Sequence, residues 1–375
     1  MTPTTEAELA DLVKTTQEPL RIQGGGTRGV SAPGAVLSTA GLTGVQLYEP
    51  GALTLVVQAG TPVAQVETLL ASEGQRLPFE PMDHRVLLGG AGAPTMGGVA
   101  AANVSGPRRI QVGACRDFML GVRFVDGAGR IVKNGGRVMK NVTGYDLVKL
   151  MAGSHGTLGV LSEISFKVLP EPEAKACVLI EGLSDARAIE AMSVAVGSPF
   201  DVTGAAHIPV GLDGDPVTMI RIEGFAGSVA YRAKALRQLL QGFGPITLEE
   251  QPERIAAGWA WVRDVAAFAD QPGNVWRISV KPSDGPKVAA ALQVKGVIYD
   301  WAGGLVWALV ETGLDIRPAL AGIAGHATLV RAADSDQGAI ARFQPESAPI
   351  AALSQALRQQ FDPTGRLNPG VMGRP

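Results

Sequence analysis

The stretch Pro19-Leu-Arg-Ile-Gln23-Gly24-Gly25-Gly26-Thr27-Arg28-Gly29-Val30-Ser-Ala-Pro-Gly34 reads as a short strand running straight into glycine. Gly24, Gly26 and Gly29 satisfy the spacing G-x-G-x-x-G, which after a strand is the fingerprint of a dinucleotide-binding βαβ unit. Such a loop must open a helix whose first amides face a pyrophosphate, and Val30 to Gly34 cannot begin one. What is left is a tight loop with successive amides facing one way, a nest suited to a diphosphate. For this stretch taken alone, a plain glycine turn is the competing reading.

Outward from that loop, Gly89 to Gly106 is almost all Gly, Ala, Pro and small polar residues, too long for an ordinary turn, so it is expected to line something. A third glycine-rich segment, Gly153-Ser-His155-Gly156-Thr-Leu-Gly159-Val160, precedes a strand. Before the first loop, Thr5-Glu6-Ala7-Glu8 is a capping box ahead of a helix to about Thr16. Leu53 to Ala59 reads as a strand, with Thr61 as N-cap and Pro62 opening a helix to about Ser72. Leu120–Val125 and Arg130–Lys133 flank Asp126-Gly-Ala-Gly129 as a hairpin. Val160 to Leu169 is a strand ending at Pro170-Glu-Pro172, which punctuates the chain and sets the expected domain boundary.

Beyond it, strands are expected over Cys177–Glu181, Thr218–Glu223, Trp276–Lys281, Gly296–Asp300 and Leu305–Val310. Helices are expected over Asp185–Val196, Ser228–Gln241 and about Ala348–Phe361. The expected organisation is a first domain over 1–170, an α+β cap domain over 171–345, and a final segment, 346–375, returning to the first domain.

Composition excludes several classes of function. Thirty-three Lys and Arg against 35 Asp and Glu leave a net charge of −2, no footprint for nucleic acid or an anionic membrane. The 48 glycines among 375 residues, roughly twice the usual share, lack a G-X-Y period and call for close backbone approach instead. Cys115 and Cys177 are the only cysteines, which excludes a disulfide framework and a four-cysteine iron–sulfur cluster within the chain. The opening residues lack a basic and apolar signal pattern, and apolar runs such as Gly304 to Val310 are far short of a membrane span. A cytoplasmic protein that reaches a membrane only through partners is expected.

The ordered series Gln23-Gly-Gly-Gly-Thr27, Thr95-Met96-Gly97-Gly98, Arg116-Asp-Phe-Met-Leu-Gly121, Lys140-Asn-Val-Thr-Gly-Tyr-Asp-Leu147 and Gly153 to Val160 resembles the PCMH-type FAD-binding domain of the vanillyl-alcohol oxidase family. The stretch Asp362-Pro-Thr-Gly-Arg-Leu-Asn368-Pro-Gly370 resembles the ending of its 2-hydroxyacid branch. Within that branch, Val138-Met-Lys-Asn, Trp276-Arg-Ile-Ser279, Asp300-Trp-Ala-Gly-Gly304 and Gly325-His-Ala-Thr328 are similar to the FAD-binding subunits of glycolate oxidase (glycolate dehydrogenase) complexes. The match is dense over residues 20 to 170 and sparse beyond.

The resemblance implies an α+β fold: a two-part PCMH-type FAD-binding domain followed by an α+β cap with a largely antiparallel sheet. It implies that Gly24, Gly25, Gly26 and Thr27 hold the FAD diphosphate and that Pro81, Thr95, Met96, Gly97 and Gly98 lie along the flavin and its phosphates. Asn103 adds a neutral hydrogen-bonding group, Gly159 and Val160 lie toward the adenine, and Asn368 lies near the isoalloxazine. Thr27 stands where covalent branches place a histidine, so noncovalent FAD is expected. The implied reaction is oxidation of a small 2-hydroxy acid, glycolate to glyoxylate, with hydride passing to flavin. Electrons then leave through a larger flavin subunit and an iron–sulfur subunit.

One departure matters. Catalytic chains of the branch carry H-x-x-D-G-N-x-H, whereas Gly325-His326-Ala-Thr-Leu-Val-Arg331 lacks the acid, the Asn and the second His. A lone His326 reads as an interior or rim residue; no metal-ligand spacing is present and no catalytic residue is assigned. Asp146 reads as a helix N-cap, and Cys115 as a small buried residue. Arg108-Arg109 can meet a carboxylate, an FAD phosphate, solvent or a partner. A noncatalytic FAD-binding assembly subunit and a stand-alone FAD-dependent 2-hydroxyacid dehydrogenase are the alternatives.

Overall fold

The Thr5 hydroxyl accepts from the Glu8 amide at 3.1 Å and starts a helix over Glu6–Thr15, whose Leu9 and Val13 are fully buried. Its Glu8 carboxylate reaches back one residue further than a standard capping box, to the Thr4 amide. The computed structural model describes residues 1–137, 144–211, 213–333 and 338–373. Motif residues 138–143 therefore lie outside the described part.

Leu20–Gln23 pairs in parallel with Ala35–Ser38, and the glycine loop connects them. Next to this pair stands a five-stranded antiparallel sheet in the order Val45–Glu49, Thr54–Gln58, Val160–Lys167, Met119–Val125, Ile131–Gly135. Its last two strands form the expected hairpin. Leu169–Pro170 pairs with Gln75–Arg76 before the chain enters a second sheet at Ala174.

That second sheet has eight strands, all antiparallel. They run in the order Ile246–Glu249, Ala174–Glu181, Val217–Gly224, Val202–Ile208, Gly296–Asp300, Leu305–Val310, Asn274–Val280, Gly325–Arg331. The largely antiparallel cap and the α+β class agree with the sequence reading.

Strand alternation fixes how the sheets pack. Along Leu305–Val310, the side chains of Val306, Ala308 and Val310 face a core covered by the helices Asp185–Val196 and Ala226–Leu240. Leu305, Trp307 and Leu309 face the other way, into a core that continues through Leu55, Val57, Phe124 and Phe166 of the five-stranded sheet. The two sheets thus share one hydrophobic core. Across the same boundary, Arg76, Glu80 and Arg108 meet Arg221 and Glu223 in a buried ion-pair network.

Several local expectations change. Pro62, not Thr61, is the N-cap of the helix Val63–Ser72. The Thr61 hydroxyl instead donates to Gln58 O at 2.7 Å and accepts from the Gly44 amide at 3.0 Å. Within Gly89 to Gly106 a helix forms over Met96–Ala101, because Thr95 caps it and small side chains let it sit against Ala59. The strand Val202–Ile208, the helix Pro252–Arg263 carrying Trp259 and Trp261, and the edge strand Gly325–Arg331 were not anticipated.

Candidate functional site

Where Leu20–Gln23 ends, the chain turns through Gly24–Gly29 with Gly26 at φ +69° and Gly29 at φ +57°, conformations glycine adopts without strain. Among the described residues, no acceptor meets the amides of Gly24, Gly25, Gly26 or Thr27. The loop's later carbonyls are held from outside: Arg342 donates from Nη1 to Gly29 O and from Nη2 to Arg28 O, both at 2.9 Å. The amides of Gly24 to Thr27 are therefore free to donate to a ligand in the cleft.

Two of the glycines are required by close neighbours, backbone in one case and a side chain in the other. A Cβ on Gly25 would stand 1.6 Å from Ala93 O, and one on Gly24 would stand 2.3 Å from Thr95 Oγ1. The first two glycine-rich segments lock together here, and the third meets them at Gly156 and Gly159. Together they line an open cleft. Asn368 closes one side: its Oδ1 accepts from the Ile22 amide and its Nδ2 donates to His155 O, each at 2.7 Å.

Of the residues singled out in the sequence, Gly24, Gly25, Gly26, Thr27, Gly97, Gly98, Gly159 and Asn368 line this cleft. Pro81, Thr95, Met96, Asn103 and Val160 do not. Thr95 caps the Met96–Ala101 helix, accepting from the Gly98 amide at 3.3 Å. Met96 and Val160 are wholly buried in the cores behind the wall. Asn103 accepts from the Arg116 amide at 2.9 Å, and Pro81 is buried. The Met96 and Gly97 amides donate to Thr61 O and Ala59 O, so that helix start is already satisfied within the protein.

Arg28, His155 and Gly156 line the cleft and were not among the anticipated contacts. Burial, with Arg342 and Arg28 nearby, pushes the His155 imidazole down to about 4, and its ring lies 4.8 Å from that of Phe343. A basic residue placed directly after a glycine nest was the signal available for Arg28.

A second cluster lies where the eight-stranded sheet faces the first domain. The guanidinium carbons of Arg109 and Arg277 lie 4.6 and 5.0 Å from the Trp301 ring centroid. The indole is fixed by a 3.0 Å bond from Nε1 to Gly106 O. Among the described residues neither guanidinium has a hydrogen-bond or carboxylate partner. Burial and the neighbouring Arg109 lower Arg277 to about 10. Two guanidiniums left without carboxylate partners can accept an anion such as a carboxylate.

His326 sits opposite Ser279 on the edge strand, exposed, with its pKa lowered by burial of part of the ring and by Arg277 and Arg109. It is a rim residue, and among the described residues no group of His, Cys, Asp and Glu could hold a metal. Asp146 caps Leu147–Met151, accepting from the Lys149 amide at 3.1 Å. Cys115 is buried, which raises its thiol far above the reactive range. No helix among the described residues is long and apolar enough to cross a membrane.

Free amides, the Arg28 side chain, whose Nε and Nη2 lack a hydrogen-bond partner, and small-residue walls fit a long anionic dinucleotide. Comparison with known proteins agrees. The family described as FAD binding domain matches residues 1–135. Glycolate oxidase subunit GlcE of Escherichia coli (strain K12) is 38% identical over 361 residues, covering 94% of this chain and 92% of that protein. Glycolate oxidase subunit GlcD of Bacillus subtilis (strain 168) is 32% identical over 55% of this chain and 41% of its own length. Among solved structures, an alkyldihydroxyacetonephosphate synthase superposes with TM-score 0.73 at 16% identity, covering 98% of this chain and 76% of that one, a likeness of fold.

Proposed function

Because the chain belongs to the family of glycolate oxidase subunit GlcE, we propose that it is the FAD-holding subunit of a multi-subunit complex that oxidises glycolate to glyoxylate. FAD, when bound, supplies an acceptor for the hydride equivalent leaving the hydroxyl-bearing carbon. The observation that carries the reading is the run of unpaired amides at Gly24–Thr27, in a cleft closed by Asn368. Those amides would hold the phosphates of a noncovalently bound cofactor. Arg109 and Arg277 would hold and orient the substrate carboxylate, with Trp301 excluding water from one side of each guanidinium.

Both cysteines are buried and too few for a cluster, so onward transfer of electrons belongs to partners: a larger flavin subunit and an iron–sulfur subunit. One observation favours a second reading, an FAD-binding assembly subunit that leaves the hydride step to a partner. His326 stands alone, without the acid and second imidazole that would make it an effective base.

The deciding experiment adds glycolate anaerobically to the purified chain and to the reconstituted complex and follows flavin bleaching. Bleaching by the complex, lost in Arg277→Gln with FAD retained, is the expected result. Robust turnover by the lone chain, abolished by His326→Ala, replaces the subunit reading with a stand-alone dehydrogenase. Acid precipitation should leave yellow FAD in the supernatant; flavin in the pellet would contradict noncovalent binding.

A further inference from the structure

Arg28 carries an unresolved charge. Its Nε and Nη2 each expose less than 1 Å² and have no hydrogen-bond partner, although the side chain belongs to the lining of the cleft. Nη1 lies against the first turn of the Met96–Ala101 helix, 2.4 Å from where a Cβ on Gly98 would stand. The acid nearest in charge, Asp83, is committed to Arg85 through Nε and Nη2 contacts of 3.0 and 2.7 Å. His84 and Cys115, also close by, offer no negative charge: burial drives the imidazole down to about 3 and the thiol far up. Burial alone lowers the Arg28 guanidinium to about 10, so it stays charged at neutral pH.

A buried guanidinium with unmet donors is strongly unfavourable, and natural proteins keep such groups when a ligand completes them. The position narrows the ligand. Arg28 follows directly on the free amides of Gly24–Thr27, and its Nη1 lies against Gly98, which lines the same cleft, so this end of the guanidinium borders the volume those amides serve.

We propose that Arg28 is a direct contact for the FAD diphosphate, adding the full positive charge that a ring of backbone amides lacks. A charge-assisted bond from Nη1 to a phosphate oxygen brings a counter-charge to the guanidinium, whose Nε and Nη2 are sealed behind it. This rests on the cleft holding FAD, and the probes below separate the two claims. Arg28 is a binding residue in this scheme and takes no part in proton transfer.

The test uses the full chain, stripped of flavin, titrated with FAD, with ADP as a diphosphate lacking flavin, and with riboflavin as flavin lacking phosphate. Arg28→Met should weaken FAD and ADP by on the order of ten- to a hundredfold and leave riboflavin unchanged. Arg28→Lys should recover part of the loss, as a point charge without the fork. The flavin-free Arg28→Met protein should melt no lower than the flavin-free parent, because an unpaired buried cation has been removed. ADP affinity unchanged in Arg28→Met overturns the proposal, as does a loss confined to riboflavin, which would move the contact to the ring system. A flavin-free variant melting far below the parent and losing all three ligands alike assigns Arg28 a structural role instead. Parent protein that binds neither FAD nor ADP sinks the cofactor reading itself.

Discussion

Arg108 and Glu223, 115 residues apart, meet in a two-pronged ion pair: Nε to Oε2 at 2.7 Å and Nη2 to Oε1 at 2.6 Å. Both side chains are buried, and the pair ties the start of the helix Arg109–Val112 to the eight-stranded sheet. Burial alone would raise the Glu223 carboxyl, but Arg221, Arg108 and Arg76 hold it well below the usual carboxylate range. Removing one partner leaves uncompensated buried charge, so Glu223→Gln should cost about 3–5 kcal/mol in urea unfolding. A carboxylate depressed in the folded state contributes stability that is present above its unfolded pKa, near ~4.3, and is lost as pH falls further. The parent should therefore lose stability in acid more steeply than Glu223→Gln; parallel curves would refute the assignment.

Asp300 runs the opposite way. Burial pushes its carboxyl up to about 7, against only a 2.7 Å bond from the Trp301 amide and the more distant Arg221 and Arg277. Its folded pKa lies above the unfolded value of about 3.9, so the folded state binds the extra proton and stability declines as pH rises from about 4 toward 7. Asp300→Asn keeps an acceptor for Trp301 and should flatten that decline. Thermal melts across this window check it, and an unchanged slope would contradict it.

Gly25 and Gly26 are glycine for different reasons. Gly26 needs a positive φ, and the first atom its Cβ would meet is the flexible end of Gln23, at 2.7 Å. Gly25 has no positive φ; a Cβ there runs into the Ala93 carbonyl at 1.6 Å. Gly25→Ala should therefore deplete FAD more severely than Gly26→Ala, with Gly26→Val worse than Gly26→Ala by about 1 kcal/mol or more. Flavin-to-protein absorbance ratios decide the order.

Asn368 links Ile22 and His155 through both ends of its amide, and its own φ of +45° is one asparagine tolerates. Asn368→Asp retains the acceptor for Ile22 and turns a carboxylate toward the His155 carbonyl. Loss of that donor should lower stability by about 1–3 kcal/mol and increase FAD loss during gel filtration. Equal flavin retention by variant and parent would count against Asn368 as the closing side of the cleft.

Elements with a strong local signature were legible in the sequence. Asp185–Val196, Gly296–Asp300, Leu305–Val310 and Ala348–Phe361 match the expected spans. Val202–Ile208 escaped because it is buried on both faces and rich in small residues, leaving no alternation to detect. The Met96–Ala101 helix escaped because Gly97 and Gly98 argue against helix, and packing against Ala59 overrides that propensity. The glycine nest was readable because one local loop creates it. Arg28 carried a local signal, a basic residue next to that nest, whereas the Arg109–Trp301–Arg277 stack and the Glu80–Arg221 pair carried none, since each depends on residues brought together from distant parts of the chain.

The bonds that Arg342 and Asn368 make to the first loop and its strand have a consequence for biosynthesis. Ile22 emerges from the ribosome early, and its Asn368 partner follows 346 residues later. Until then the glycine loop lacks the guanidinium that anchors its carbonyls and the amide that shuts the cleft. A nascent chain can present the phosphate-facing amides but cannot enclose what they hold. Secure cofactor capture is thus a late event in synthesis, and a chain interrupted after its first sheet, however well folded, would shed its flavin.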